Sequence, residues 1–272
     1  MITKTLMVLV IACLVSGLAV PQTHHEQRET KKDVRSKLFK QVLADYADVR
    51  ECVEKEEGGA RTAQENMSVE EVDLNRDGVT EYQVELSGPC VCGMVNCTIY
   101  MYRQTPAGYE SILEDAAGFG LQLLKTSTRG YTDLRVDARD SAAAQAQTIF
   151  KFDGTRYREA SSSIVNARTG ESKPASRRVQ FSRGASSATV QGKVSLELSD
   201  TWLIGARAGQ VMTVQLIGPR NVRFMLMTSR TTESLADNTR SWTGTLPETG
   251  DYILLVDTDA KAAAYSMTIT IK

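Results

Sequence analysis

The chain has 272 residues, a formal net charge of −1, 42% hydrophobic residues and 24% charged residues. That balance belongs to an ordinary soluble globular protein and excludes a multi-span membrane protein, a collagen-like repeat and a wholly disordered chain. It also gives no global drive toward nucleic acid.

Residues 1–20 read as an export segment. Lys4 supplies a short positive region, Leu6 to Val20 is an uncharged apolar run, and Gly17-Leu18-Ala19 offers a small-x-small cleavage site. The pattern is that of a signal peptide, expected to be removed near Ala19. Val10-Ile11-Ala12-Cys13 also has the form of a lipoprotein box, so lipid on Cys13 is the alternative route to a membrane, and an uncleaved anchor is a third. The protein is therefore expected outside the cytoplasm, in a periplasmic or extracellular space.

The next segment predicts one amphipathic helix. Val34, Leu38, Val42, Tyr46, Val49 and Val53 recur at spacings of three and four, Asp33 is placed to cap the start, and Gly58-Gly59 follows the end. From there the period changes to two. Strands are expected at Ser68–Leu74, Glu81–Leu86, Thr98–Arg103, Gly108–Leu113, Leu121–Thr126, Asp133–Asp137 and Thr148–Phe152. One helix and an antiparallel sheet make an α+β unit over residues 33–159.

Two features of this unit carry chemistry. In Asp73-Leu-Asn75-Arg-Asp77-Gly78-Val79-Thr-Glu81, oxygen side chains alternate and a glycine permits the sharp turn. Asp73, Asn75, Asp77, the Val79 carbonyl and Glu81 can converge on Ca²⁺. Position 12 is Val84, not the bidentate Glu of an EF-hand, so the loop is of the kind that joins β-strands outside cells. The other reading is an Asx-rich turn without metal. The second feature is Cys52 with Cys90, Cys92 and Cys97. Four cysteines in an exported chain read as two disulfides. Three pairings are open; Cys92–Cys97 with Cys52–Cys90 is favoured, and Zn²⁺ or a redox pair are the alternatives. Asp73, Gly78, Glu81-Tyr82, Cys92-Gly93, Cys97-Thr98, Arg103 and Gly108-Tyr109 together resemble a small exported bacterial domain type without an assigned activity.

Residues 160–177, ASSSIVNARTGESKPASR, are Ser-rich without apolar periodicity and are expected to be a linker. Charge changes sign here. Residues 21–160 carry a net charge of −6 and residues 161–272 carry +4, which suggests two domains.

Residues 178–272 predict about eight strands separated by Gly, Pro, Asn and Asp, an all-β sandwich of jelly-roll type. Val179-Gln-Phe181-Ser-Arg-Gly184, Gly205-Ala-Arg207-Ala-Gly209-Gln210, Trp242-Thr-Gly244-Thr-Leu246-Pro247-Glu-Thr-Gly250-Asp251-Tyr252 and Ala264-Tyr265-Ser-Met267 occur in that order. In these the segment resembles the bacterial pre-peptidase C-terminal domain and the related periplasmic inhibitors of animal-type lysozymes. The resemblance implies a sandwich fold and a protein or glycan partner, with a lysozyme as one such partner. The inhibitors carry a Ser-Ala-Ala-Arg-Arg-like loop before the last strand; this chain has Asp259-Ala260-Lys261-Ala262-Ala263-Ala264, with one Lys. Trp242, Tyr252 and Tyr265 read as core or rim aromatics.

No catalytic pattern emerges. Both histidines, His24 and His25, fall in the expected tail, which leaves none for a Ser/His/Asp triad. H-E-x-x-H, a Walker loop and G-x-G-x-x-G do not occur. Glu56-Glu57 and Glu70-Glu71 read as solvated charge. The sequence thus predicts a non-catalytic binding protein of the bacterial cell envelope. The alternatives are a lysozyme inhibitor, with Arg220, Arg223 and Arg230 available to an acidic cleft, and a structural envelope module.

Overall fold

A computed structural model of the chain describes residues 30–56 and 58–272. The expected export segment, Cys13, both histidines and Glu57 lie outside the described residues.

The expected single helix is two. Helix α1 spans Lys31–Asp45 and α2 spans Ala47–Lys55, with Tyr46 between them in an extended conformation. Leu38, Val42, Val49 and Val53 are buried as their spacing requires. The break comes from tertiary contact. The Tyr46 ring lies 4.8 Å from that of Tyr100, and its hydroxyl meets Ser111 Oγ at 3.1 Å. The Arg50 guanidinium donates to the Leu43 carbonyl at the end of α1. The N-cap is Thr30, not Asp33. Thr30 Oγ1 accepts from the Asp33 amide, and the Asp33 carboxylate accepts from the Thr30 hydroxyl, a reciprocal capping arrangement. A third helix, α3 (Gly59–Glu65), follows Gly58, whose φ of 68° is left-handed. Gly59 sits against the Val53 carbonyl with no room for a Cβ.

The strands that follow form two sheets where one was expected. β1 (Ser68–Val72), β2 (Glu81–Glu85), β3 (Cys97–Thr105) and β4 (Gly108–Gly118) make an antiparallel sheet in that order. β5 (Gly120–Thr128), β6 (Tyr131–Arg139), β7 (Ala144–Phe152), β8 (Tyr157–Asn166) and β9 (Ser172–Pro174) make an antiparallel meander. Two cores result. One lies under the helices around Leu38, Val42, Tyr100 and Tyr102; the other holds Leu74, Ile112, Leu113, Leu134 and Phe150.

The Ser-rich segment expected as a linker is largely strand. It forms the second half of β8, then β9, then β10 (Arg177–Arg178). Its serines were misleading because they lie in cross-strand pairs: Thr148 and Ser162 hydroxyls meet at 2.9 Å. The exposed positions of β8 are Arg158, Glu159, Ala160 and Ser161, a run without apolar alternation.

The last third of the chain is a pair of facing sheets. β11 (Ser187–Val194), β12 (Asp200–Ala206), β13 (Val211–Ile217), β14 (Val222–Thr228), β15 (Ser234–Thr239), β16 (Ser241–Thr245), β17 (Gly250–Thr258) and β18 (Ala263–Ile271) divide into β10-β12-β17-β14-β15 and β11-β18-β13-β16. Alternate residues of both sheets, including Trp202, Phe224, Tyr252 and Met267, enclose one core. No strand forms at Val179–Phe181, although the Val179 amide bonds the Leu203 carbonyl. β15 was not anticipated, because SLADNT lacks an apolar alternation.

One buried carboxylate joins the two parts of the chain. Asp200, its side chain 3% exposed, accepts from Lys173 Nζ at 2.9 Å and from Arg177 Nη2 at 2.7 Å. The Tyr265 hydroxyl also donates to it at 2.7 Å and accepts from the Trp202 indole at 2.7 Å. The Arg177 guanidinium stacks 4.0 Å from the centre of the Trp202 ring. Gly192 is required beside them, since a Cβ there would strike Asp200 and Tyr265.

The bridges are Cys52–Cys90 and Cys92–Cys97, with sequence separations of 38 and 5. In the chain-entropy model, closing the longer loop contributes about 4 kcal/mol and the shorter about 2 kcal/mol. Replacing Cys52 and Cys90 together with Ala is therefore expected to lower the urea unfolding free energy roughly twice as much as replacing Cys92 and Cys97. Equal losses would contradict the loop-length account.

Candidate functional site

The acidic loop between β1 and β2 is a self-bonded turn. Asp73 accepts from the amides of Arg76 at 2.6 Å and Gly78 at 3.1 Å. Asn75 Oδ1 accepts from the Asp77 amide, Asp77 Oδ1 from the Val79 amide, and Asp77 Oδ2 from the Asn75 side-chain amide. Arg76 (φ 61°) and Gly78 (φ 80°) are left-handed, so the chain coils with its oxygens inward. Glu81 differs from the others. It is 2% exposed, and its Oε2 accepts from the amide of Leu74 at 2.8 Å. Burial raises its pKa above the ordinary carboxylate value; the Leu74 bond opposes this, and Asp77 and Asp73 add to it.

The residue types present fit a hard cation: two aspartates, an asparagine, a buried glutamate and the backbone carbonyl of the exposed Val79. The same bonds also fit a metal-free Asx turn. Among the described residues, Cys52, Glu56 and Cys90 form a group with ligand atoms mutually within 4.8 Å, but its two sulfurs are joined to each other. Among the described residues all four cysteines are paired, which leaves no thiolate there for zinc.

A second site was not visible in the sequence. At the end of the sandwich nearest the first part of the chain lies an open groove of about 710 Å³. Its walls come from separate segments. Asp140 and Ser141 follow β6; Leu196, Glu197 and Ser199 lie between β11 and β12; Arg220 and Asn221 precede β14 and Arg223 lies in it; Asp257 lies in β17 and Asp259 follows it. Leu196 stands at its lip, 70% exposed. Glu197 is held by Asn166 and by an ion pair with Arg168, and Asn221 donates to Asp259. Burial raises the pKa of Asp257, with Asp237 as a second cause. No local spacing could reveal residues that only the fold brings together.

Of the three arginines singled out in the sequence, Arg220 and Arg223 line this groove and Arg230 does not. Lys261 is exposed in its loop, which is tied down by the Leu196 amide bonding the Ala260 carbonyl. Tyr252 and Tyr265 are core residues, and Trp242 packs on the same core.

No protein-family model matches the chain, and no curated protein matches it. Solved structures match in part. The periplasmic inhibitor of g-type lysozyme from Aeromonas hydrophila is 27% identical, with a TM-score of 0.34, over 36% of this chain and 96% of its own. Its counterpart from Salmonella Typhimurium is 26% identical, with a TM-score of 0.32, over 37% of this chain and 100% of its own. The pre-peptidase C-terminal domain of a Bacillus anthracis collagenase is 13% identical, with a TM-score of 0.28, over 37% of this chain and 99% of its own. These are weak resemblances over about a third of the chain.

Proposed function

We propose that the protein is an exported, non-catalytic binding protein of the bacterial cell envelope, and that the groove holds a protein or glycan partner. The groove is the observation that carries this reading. It is wide and open, it presents arginines and carboxylates together, and its exposed Leu196 can be buried by a partner. Export is supported by the export-type leader and by the paired cysteines. Nothing in this reading calls for nucleic acid, and among the described residues no helix is long and apolar enough to cross a membrane.

A photo-crosslinking amino acid tests the groove in cells. At position 196 it is expected to give a covalent adduct with an envelope protein or with peptidoglycan. The control is Ile217, 68% exposed outside the groove. Equal labelling at both positions would contradict the groove.

Lysozyme inhibition is the second reading, favoured by Arg220 and Arg223 in one groove and by the sandwich's resemblance in sequence to the inhibitors. The solved inhibitors act on g-type lysozyme. Titration against c-, g- and i-type enzymes is expected to show inhibition of one class. The double variant Arg220→Glu/Arg223→Glu should weaken it at least about tenfold, the scale of a lost charge pair at an interface. Absence of inhibition in all three classes removes this reading and leaves the first standing.

For the acidic loop we propose weak structural Ca²⁺, held by Asp73, Asn75, Asp77, the Val79 carbonyl and Glu81. Extracellular modules bind at about 10⁻⁴–10⁻³ M. A concentration of Ca²⁺ ten- to a hundredfold above that is expected to stabilise the fold by about 1.4–2.7 kcal/mol, read as a raised Tm reversed by EGTA. Glu81→Gln should lose the response. A Tm indifferent to Ca²⁺ would assign the loop to the metal-free turn.

A further inference from the structure

The two disulfides have unlike surroundings. Cys52 lies in α2 between Val49 and Val53, both buried, so its sulfur stays where the packed helix puts it. Cys92–Cys97 instead closes the tip of a short hairpin, where the two cysteines face each other across one isolated antiparallel bridge. Around them the backbone supplies the Gly93 amide to the Asn96 carbonyl and the Thr98 amide to the Val91 carbonyl, both at 2.8 Å. Gly93, Met94 and Val95 are exposed, Met94 fully, so no core packs under the tip. A two-stranded tip with so few bonds is not stable alone, and its order rests on the covalent bridge.

The tip also touches the frame of the groove. Asn96 Oδ1 accepts from the Arg139 amide at 2.8 Å, and Asn96 Nδ2 donates to the Arg139 carbonyl at 2.9 Å. One carboxamide thus satisfies both backbone groups of Arg139, as a neighbouring strand would. No strand does so on that side, because the pairing of β5 with β6 reaches only Asp137. Arg139 is the last residue of β6, and the next two, Asp140 and Ser141, line the groove. The amides of Asp140 and Ser141 are held from the β7 side by the Ala144 carbonyl. The disulfide-closed tip is the second hold on this wall.

We propose that Cys92–Cys97 is a site of thiol–disulfide exchange whose closed form latches the Asp140/Ser141 wall of the groove. Its use as a control of binding rests on the groove being the binding site. The reductant is a protein dithiol. Its thiolate attacks one bridge sulfur, the Cys92–Cys97 bond breaks and a mixed disulfide forms; the second thiol of the reductant then displaces the cysteine. Cys92 and Cys97 end as thiols, taking up the two protons that the reductant loses, and the reductant ends as a disulfide. Asn96 lies one residue outside β3, so without the bridge its grip on Arg139 depends on the Gly93 bond alone. The Cys52–Cys90 bridge recloses when attacked, because α2 holds Cys52 and Val91, packed on the core under the helices, holds Cys90. The short loop accounts for the smaller share of disulfide stabilisation, so its reduction opens the latch without unfolding the chain.

Graded dithiothreitol, a small dithiol, tests the exchange when the reaction is quenched with N-ethylmaleimide and read by peptide mass. Cys92–Cys97 is expected to open at a concentration that leaves Cys52–Cys90 closed. Hydrogen exchange followed by NMR tests the latch. In the partly reduced chain the Arg139 amide should exchange about tenfold faster, the scale of one lost hydrogen bond. The Val136 amide, inside β6 with a strand on either side, should not change. Asn96→Ala with both bridges closed should accelerate Arg139 by the same factor. Opening of both bridges at one dithiothreitol concentration overturns the exchange site. An Arg139 amide indifferent to reduction, or to Asn96→Ala, overturns the latch. Absence of the Leu196 adduct in the oxidised protein counts against the groove as a binding site and leaves the amide measurements to decide the latch.

Discussion

A single carboxylate carries the connection between the two parts of this molecule. Asp200 is buried at the start of a sandwich strand, where an unpaired negative charge would be prohibitively desolvated. Its partners Lys173 and Arg177 come from the segment that leaves the first part of the chain. Tyr265 supplies a further hydrogen bond, and Trp202 supports both the tyrosine and the stacked guanidinium. The carboxylate therefore fixes where β9 and β10 lie on the sandwich. The ion pair of Arg168 with Glu197 follows the same seam, and the groove opens next to it between Glu197, Ser199 and Asp140.

The first part of the chain answers a different constraint. Its apolar residues are divided between two cores on either side of β3 and β4. Neither core is large, and the longer disulfide ties α2 to the segment before β3, which limits how far the unfolded chain can expand. The acidic loop is similarly constrained: Leu74 is buried in the core on one side and Glu81 is turned inward on the other, so the oxygens between them have little freedom.

Much of this architecture was legible in the sequence. Two-residue periods located most strands, and the favoured cysteine pairing is the one found. The misses have physical causes. Tyr46 kept the helical spacing while its ring was claimed by Tyr100, so one stripe became two helices. Serines in β8, one of them bonded across to Thr148 of β7, concealed a strand within an expected linker. The groove draws on distant segments and has no local signature.

The anchoring role of Asp200 can be tested with two probes that the chain itself provides. Among the described residues all helices lie before residue 66, while both tryptophans, Trp202 and Trp242, lie in the sandwich. Helical dichroism and tryptophan fluorescence therefore follow the two parts separately during urea unfolding. In the parent the two transitions should coincide. In Asp200→Ala they should separate, with the fluorescence transition moving first and the sandwich losing about 3 kcal/mol, as expected when one member of a buried ionic cluster is removed. Coincident transitions in the variant, displaced by less than about 0.5 kcal/mol, would contradict the account.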